Sequence, residues 1–347
     1  MLPRSPSVFS LLAIAWPAGA SVKPNETSTN SPGLPMVINT WGGAFTAATD
    51  AAYTAMLNPA TSALDAVELG CATCEANQCD GTVGYGGSPD ENCETTLDAM
   101  IMDGTSMKSG SVAALRRIKD AISVARAVLE HTSHTMLAGD FATAFALSNG
   151  FVAEDLTTAE SAASCDKWKE SGCQPNYRIN VTPDPNSSCG PYTALPLNST
   201  SSTYASDLMF RDAPEGHDTI SMVALHASGT MAAGTSTNGA ARKVPGRVGD
   251  GPITGSGSYV DGDGDIMMRF LPCYQAIENL RLGMSPKAAA EDVVTRMLRK
   301  YPKVHSGIVV VNAKGEHGAA GSGWTFTYAY RGGSMNETVV ISVPALG

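Results

Sequence analysis

The stretch from Thr219 to Thr237 constrains the fold most. Thr219–Ala227 is an apolar, strand-forming run, Ser228-Gly229 supplies a turn, and Thr230–Thr235 begins a return run. That pattern reads as an antiparallel β-hairpin. Its loop length sets the register. A two-residue loop puts Ile220 opposite Thr237 and Thr219 opposite Asn238, whereas a three-residue loop puts Thr219 opposite Thr237. Either way two threonines lie together at the open end, with opposed Cβ atoms roughly 4.5–5.5 Å apart. Spacing alone favours a purely structural hairpin with a Thr-rich end.

Around the hairpin the pattern alternates between helix and strand. Met36 to Trp41 is a short apolar strand, and two alanine-rich helices are expected over 45–57 and 61–76, the second capped by Thr61 or Ser62. The segment Gly81 to Asp90 is too glycine-rich for a helix and reads as a strand entering a tight loop. Leu97–Asp103 is strand-like; 111–131, 139–149, 158–170, 265–282 and the stretch after Ser285-Pro286 read as helices; and 306–344 holds several β-rich runs. Residues 174–216 are rich in Pro, Ser, Asn and Thr and read as a long exposed loop that delivers His217-Asp218-Thr219 to a reachable place. Helices covering antiparallel sheets imply a layered α/β (α+β) domain. The 35 glycines and abundant alanines suit closely packed layers.

The N-terminus reads as a signal peptide over residues 1–20: Arg4, the apolar run Val8–Trp16, then Ala18-Gly19-Ala20 as the cleavage site. N-x-S/T sequons at Asn25, Asn180, Asn186, Asn198 and Asn336 fit secretion, and an oxidising compartment permits disulfides among the eight cysteines. Spacing does not fix their pairing, and Cys71-x-x-Cys74 finds no second pair of zinc ligands. A net charge of -10 without a basic cluster argues against nucleic acid and anionic membrane surfaces as partners.

A threonine hydroxyl is a poor nucleophile unless a base takes its proton. An N-terminal threonine carries that base as its own α-amine. Thr219 acquires one only if the Asp218–Thr219 bond is cut, and Asp218 stands where a carboxylate assists such a cut. Downstream, Arg247 and Asp250 in Gly246-Arg247-Val248-Gly249-Asp250 are complementary to the carboxylate and ammonium of a free amino acid. A surface ion pair explains the same spacing.

Several segments together resemble the aspartylglucosaminidases, the N4-(β-N-acetylglucosaminyl)-L-asparaginases. They are Val37–Trp41, Ala66–Cys71, Cys79–Glu91, Glu94–Gly104, His217–Ile220, Gly234–Gly239 and Gly246–Asp250. The resemblance runs from about Pro35 to about His317. It implies an N-terminal-nucleophile hydrolase with a four-layer αββα sandwich. It also implies autocleavage at Asp218–Thr219, giving an α chain (21–218) and a β chain (219–347) of one domain, and assembly as an (αβ)₂ heterotetramer. By the same resemblance Thr219 is the nucleophile and Thr237 its assistant. Arg247 and Asp250 bind the substrate's α-carboxylate and α-amine, Trp41 lines the funnel, and Ser88 supports self-cleavage. Cys74–Cys79 and Cys173–Cys189 are the implied disulfides. Cys71, Cys93, Cys165 and Cys273 are left open. The implied substrate is a small glyco-asparagine, no metal or organic cofactor is implied, and the implied location is the lysosome, reached by the secretory pathway, or outside the cell.

One segment departs from the family pattern. Where the family has Thr-Gly-Asn-Gly-Asp after a longer loop, this chain has Asp261-Gly262-Asp263-Gly264-Asp265. Gly262 still offers a backbone N–H to an oxyanion. Two other readings follow: an L-asparaginase or isoaspartyl peptidase of the same superfamily, and a secreted glycoprotein whose shortened loop near Asp261 impairs catalysis.

Overall fold

The computed structural model describes residues 31–196, 219–257 and 264–346. The expected signal peptide, Asp218, Asp261, Gly262 and the sequons at Asn25 and Asn198 lie outside the described residues.

In chain order the elements are β1 (Met36–Thr40), α1 (Thr46–Met56), α2 (Ala63–Asn77), β2 (Leu97–Asp103), β3 (Ser109–Leu115), α3 (Ala121–His131), β4 (Met136–Ala138), α4 (Gly139–Ser148) and α5 (Ala159–Glu170). A two-residue ladder follows, β5 (Val181–Thr182) with β6 (Thr193–Ala194). Then come β7 (Ile220–Leu225), β8 (Met231–Thr237), α6 (Gly264–Phe270), α7 (Pro272–Arg281), α8 (Pro286–Leu298), β9 (Ser306–Val311), β10 (His317–Ser322), β11 (Phe326–Gly332) and β12 (Val339–Val343).

These make the expected α, β, β, α layering. Eight strands form one sheet in the order β12-β11-β1-β7-β8-β2-β3-β4, and β9 and β10 form a second. Strand β1 is buried along its whole length and β7 almost so, as strands covered on both faces must be. One core cluster joins α1, α2 and α3 to the large sheet through Ala48, Ala52, Val67, Ile122, Val128 and Ile220. Val309, Val311 and Ala319 of the second sheet pack against it. A second cluster, including Met267, Ala290, Val294 and Ile308, seals α6–α8 onto β9–β10. Small residues permit the close layers. A Cβ at Gly110 would lie 2.2 Å from the Ala125 carbonyl oxygen, so α3 rests directly on β3.

Local signals set most helix ends. Ser62 accepts from the Asp65 N–H and Asp65 returns the bond, a capping box that opens α2. Thr158 and Ser161 do the same for α5, and Ser285 caps α8 with Pro286 in its first turn.

Three expectations are corrected. Residues 111–131 do not form one helix: Ser109–Leu115 is strand β3, paired with β2 and β4, and only Ala121–His131 is helical. Sheet pairing outweighs the weak helical preference of a short Ser/Ala/Val run. Gly81 to Asp90 is turns and bends, not a strand. The 265–282 helix is broken at Leu271, whose φ of 46° lies in the left-handed region and which is followed by Pro272 opening α7. The disulfides are Cys74–Cys79, Cys173–Cys189 and Cys93–Cys165. Cys71 and Cys273 are thiols.

Candidate active site

The hairpin closes with the longer loop. The His226 N–H donates to the Thr230 carbonyl at 2.8 Å and the Gly229 N–H to the His226 carbonyl at 2.9 Å, with Gly229 at φ 86°. Three residues therefore turn the chain, and glycine takes the left-handed position. The register pairs Leu225 with Met231 and Ile220 with Ser236. One step further brings Thr219 opposite Thr237. Both are buried.

The main chain at Thr219 is held from β1. The Trp41 indole N–H donates to the Thr219 carbonyl at 3.1 Å, and Thr40 Oγ1 donates to the same oxygen at 3.3 Å while accepting the Ser221 N–H at 3.0 Å. Trp41 is itself fixed against Trp324, with ring centroids 5.1 Å apart. Thr237 Oγ1 accepts the Gly239 N–H at 2.8 Å, which orients its hydroxyl.

The glycine-rich segment 81–88 packs against the residue next to Thr237. Asn238 donates its N–H to the Thr82 carbonyl at 3.0 Å and its side-chain amide to the Gly84 carbonyl at 3.2 Å. A Cβ at Gly87 would fall 2.0 Å from that amide nitrogen, so glycine is required there. Ser88, with φ 32°, turns its carbonyl toward Lys243 Nζ at 3.4 Å.

Arg247 and Asp250 meet across the first residue of α6. A Cβ at Gly264 would lie 2.8 Å from Asp250 Oδ1 and 3.3 Å from Arg247 Nη2. A Cβ at Gly251 would touch the Thr237 methyl group at 3.0 Å. The guanidinium, the carboxylate and the threonine pair thus share one region, with small residues where side chains would block it. Arg247 Nη2 also donates to Asp265 Oδ2 at 2.8 Å.

Several residues here were not singled out in the sequence. Thr40 fixes Thr219. Asp98 of β2 is opposite Thr237 in the register and is buried with Lys243. Burial pushes the Asp98 carboxyl up, against the opposing pull of Lys243, the Ala114 N–H, Arg247 and the Gly249 N–H. Behind β8, Glu75 Oε1 accepts from Ser236 Oγ at 2.6 Å and from the Ile122 N–H at 2.9 Å. Burial raises its pKa to about 8, more than those two hydrogen bonds lower it. Glu75 lies on helix α2 and Lys243 in the loop after β8, so no strand alternation marks them, and burial of a charged side chain is a tertiary property. Among the described residues no group of three His, Cys, Asp or Glu side chains is placed to hold a metal. A cavity lined by Glu91, Trp168, Arg178 and Tyr192 beside the Cys173–Cys189 bridge contains none of the candidate residues.

The site thus sets a threonine at the head of a central strand of a layered α/β fold, with a guanidinium and a carboxylate nearby. The family model described as Asparaginase matches residues 36–341, and the chain belongs to that family. It is 52% identical over 296 residues to the N(4)-(β-N-acetylglucosaminyl)-L-asparaginase of Rattus norvegicus, covering 83% of this chain and 84% of that protein. It is likewise 52% identical over 297 residues to the Mus musculus protein of the same name, covering 83% and 84%. A probable isoaspartyl peptidase/L-asparaginase 3 of Arabidopsis thaliana is 46% identical over 330 residues, covering 89% and 90%.

Proposed function

We propose that the chain is a self-processing amidohydrolase that cleaves the N-acetylglucosamine–asparagine linkage of glycopeptides, with Thr219 as nucleophile. The single observation that carries this reading is the placement of Thr219. It is buried opposite Thr237, its carbonyl is anchored by Trp41 and Thr40, and the Arg247–Asp250 pair lies in the same region.

In the precursor, Thr219 Oγ attacks the Asp218 carbonyl carbon, the C–N bond breaks so that the peptide becomes an ester and the Thr219 α-amine is freed, and water then cleaves the ester to release the Asp218 carboxylate and the Thr219 hydroxyl. The α chain is then 21–218 and the β chain 219–347. In the mature enzyme that amine takes the hydroxyl proton as Oγ attacks the asparagine side-chain carbonyl. The proton passes to the departing glycosylamine, and water releases aspartate from the β-aspartyl ester. Thr237 supports the nucleophile. Arg247 receives the α-carboxylate, Asp250 the α-ammonium, and Trp41 lines the approach. Ser88 supports self-cleavage and the Gly262 N–H serves the oxyanion, a donor type whose loss typically lowers kcat by about 10²–10³. The signal peptide and sequons favour delivery to the lysosome, and two αβ units assemble as (αβ)₂.

The name of the Arabidopsis relative keeps a second reading in view, an isoaspartyl peptidase or L-asparaginase. The purified protein is assayed in parallel on glucosaminyl-asparagine, free asparagine and a β-aspartyl dipeptide. The proposal expects the highest kcat/KM on the glycosylated substrate. Preference for the dipeptide would replace it with the second reading.

A further inference from the structure

The proposed chemistry uses Thr219, Thr237, Arg247 and Asp250 but leaves other buried charged side chains without a task, Asp98 and Lys243 among them. Asp98 and Lys243 are 3% and 2% exposed. A buried ion is strongly unfavourable unless it is paired and hydrogen-bonded, so what surrounds these two is informative. Asp98 Oδ1 accepts the Ala114 N–H at 2.7 Å, and its pKa is drawn down by the Gly249 N–H, within the segment that carries Arg247 and Asp250. Lys243 Nζ donates to the carbonyls of Asn238 and Ser88 and so ties the glycine-rich loop to the end of β8.

The three charged heads converge beside Gly239. A Cβ placed there would lie 3.3 Å from Arg247 Nη1, 3.7 Å from Lys243 Nζ and 3.8 Å from Asp98 Oδ2. On its other side Arg247 Nη1 rests on Gly249, where a Cβ would come within 2.9 Å. The guanidinium is therefore bracketed between two glycines, with its Nη2 edge turned toward Asp250, Asp265 and Gly264. Charge matters as much as contact. Asp98, Asp250 and Asp265 set three carboxylates against the two cations Arg247 and Lys243, so Lys243 offsets Asp98 and the Asp265 contact is the one that an arriving carboxylate must share or displace.

We propose that Asp98 and Lys243 are positioning residues for the amino-acid end of the substrate: Asp98 fixes the Arg247 segment, and Lys243 offsets the Asp98 charge, so that the Arg247 guanidinium is aimed at the substrate's α-carboxylate. This rests on the reading that Arg247 receives that carboxylate.

The test compares glucosaminyl-asparagine with its α-carboxamide derivative, using self-processed wild-type enzyme and the Asp98→Asn and Lys243→Gln variants. In each variant kcat/KM for the free carboxylate falls about tenfold or more, mainly through KM, the scale of one lost charge-assisted contact. The carboxamide substrate loses much less, so discrimination between the two shrinks. An equal loss on both substrates, or a loss confined to kcat, overturns the proposal by marking the pair as merely structural. If Asp98→Asn does not fold and self-process, Lys243→Gln decides alone by the same ratio. Failure of the underlying functional reading shows separately, as absence of glucosaminyl-asparagine hydrolysis in the wild-type arm.

Discussion

Replacing Glu75 with glutamine should change how stability depends on pH. Burial raises this carboxyl from 4.5 to about 8 in the folded chain. An acid with a raised folded pKa binds more protons folded than unfolded across that interval. Its contribution is therefore most favourable below 4.5 and is lost as pH rises toward 8. One pKa unit corresponds to about 1.4 kcal/mol, so this single group should remove about 3 kcal/mol between pH 5 and 7.5. Glutamine preserves the oxygen that accepts from Ser236 and Ile122, and it cannot ionise. The Glu75→Gln protein should therefore be close to wild type at pH 5 and more stable at pH 7.5. Thermal unfolding followed by circular dichroism from pH 5 to 7.5 reads the difference. At about 2 °C per kcal/mol for a domain of this size, the gap in Tm should open by roughly 6 °C. Comparing variant with wild type cancels the other titrating groups. A Tm difference that stays constant over the range would refute a buried, protonated Glu75.

Three further perturbations follow from the geometry. Gly84→Ala places a Cβ 2.2 Å from the Glu75 carbonyl oxygen at a residue with φ 80°, and should lower stability by about 2 kcal/mol or more in denaturant titration. Gly264→Ala intrudes on both Asp250 and Arg247, and should raise KM more than it lowers kcat in steady-state assays of the processed enzyme. Cys93→Ser opens a bridge spanning 72 residues, and on loop entropy alone should lower stability by about 4 kcal/mol, read as a lower Tm.

How much of this was legible in the sequence differs by element. The hairpin was, because strand-forming runs and Ser228-Gly229 leave only loop length open, and the three-residue loop is settled by hydrogen bonds that no composition encodes. Caps at Ser62, Thr158 and Ser285 act locally, and the helices they open lie where side-chain type alone put them. Strand β3 was misread because its Ser, Ala and Val residues suit either state until β2 and β4 are present to pair with it. The break at Leu271 had a visible signal in Pro272, which the helical pattern on either side masked. Arg247 and Asp250 read as complements of an amino acid's carboxylate and ammonium, but a surface ion pair fits the same spacing and only the family resemblance favours the binding role. Asp98, Lys243 and Glu75 gain significance from burial, and burial is decided by every layer at once.

The central claim is that Thr219 becomes a chain terminus and then the nucleophile. N-terminal sequencing and intact-mass analysis of the purified protein, alongside its Thr219→Ala variant, test it most directly. The account predicts a fragment beginning Thr-Ile-Ser-Met in the wild type, and a single uncut, inactive chain in the variant. A wild-type chain that stays whole yet hydrolyses glucosaminyl-asparagine, or a variant that still cleaves and still turns over, would contradict it.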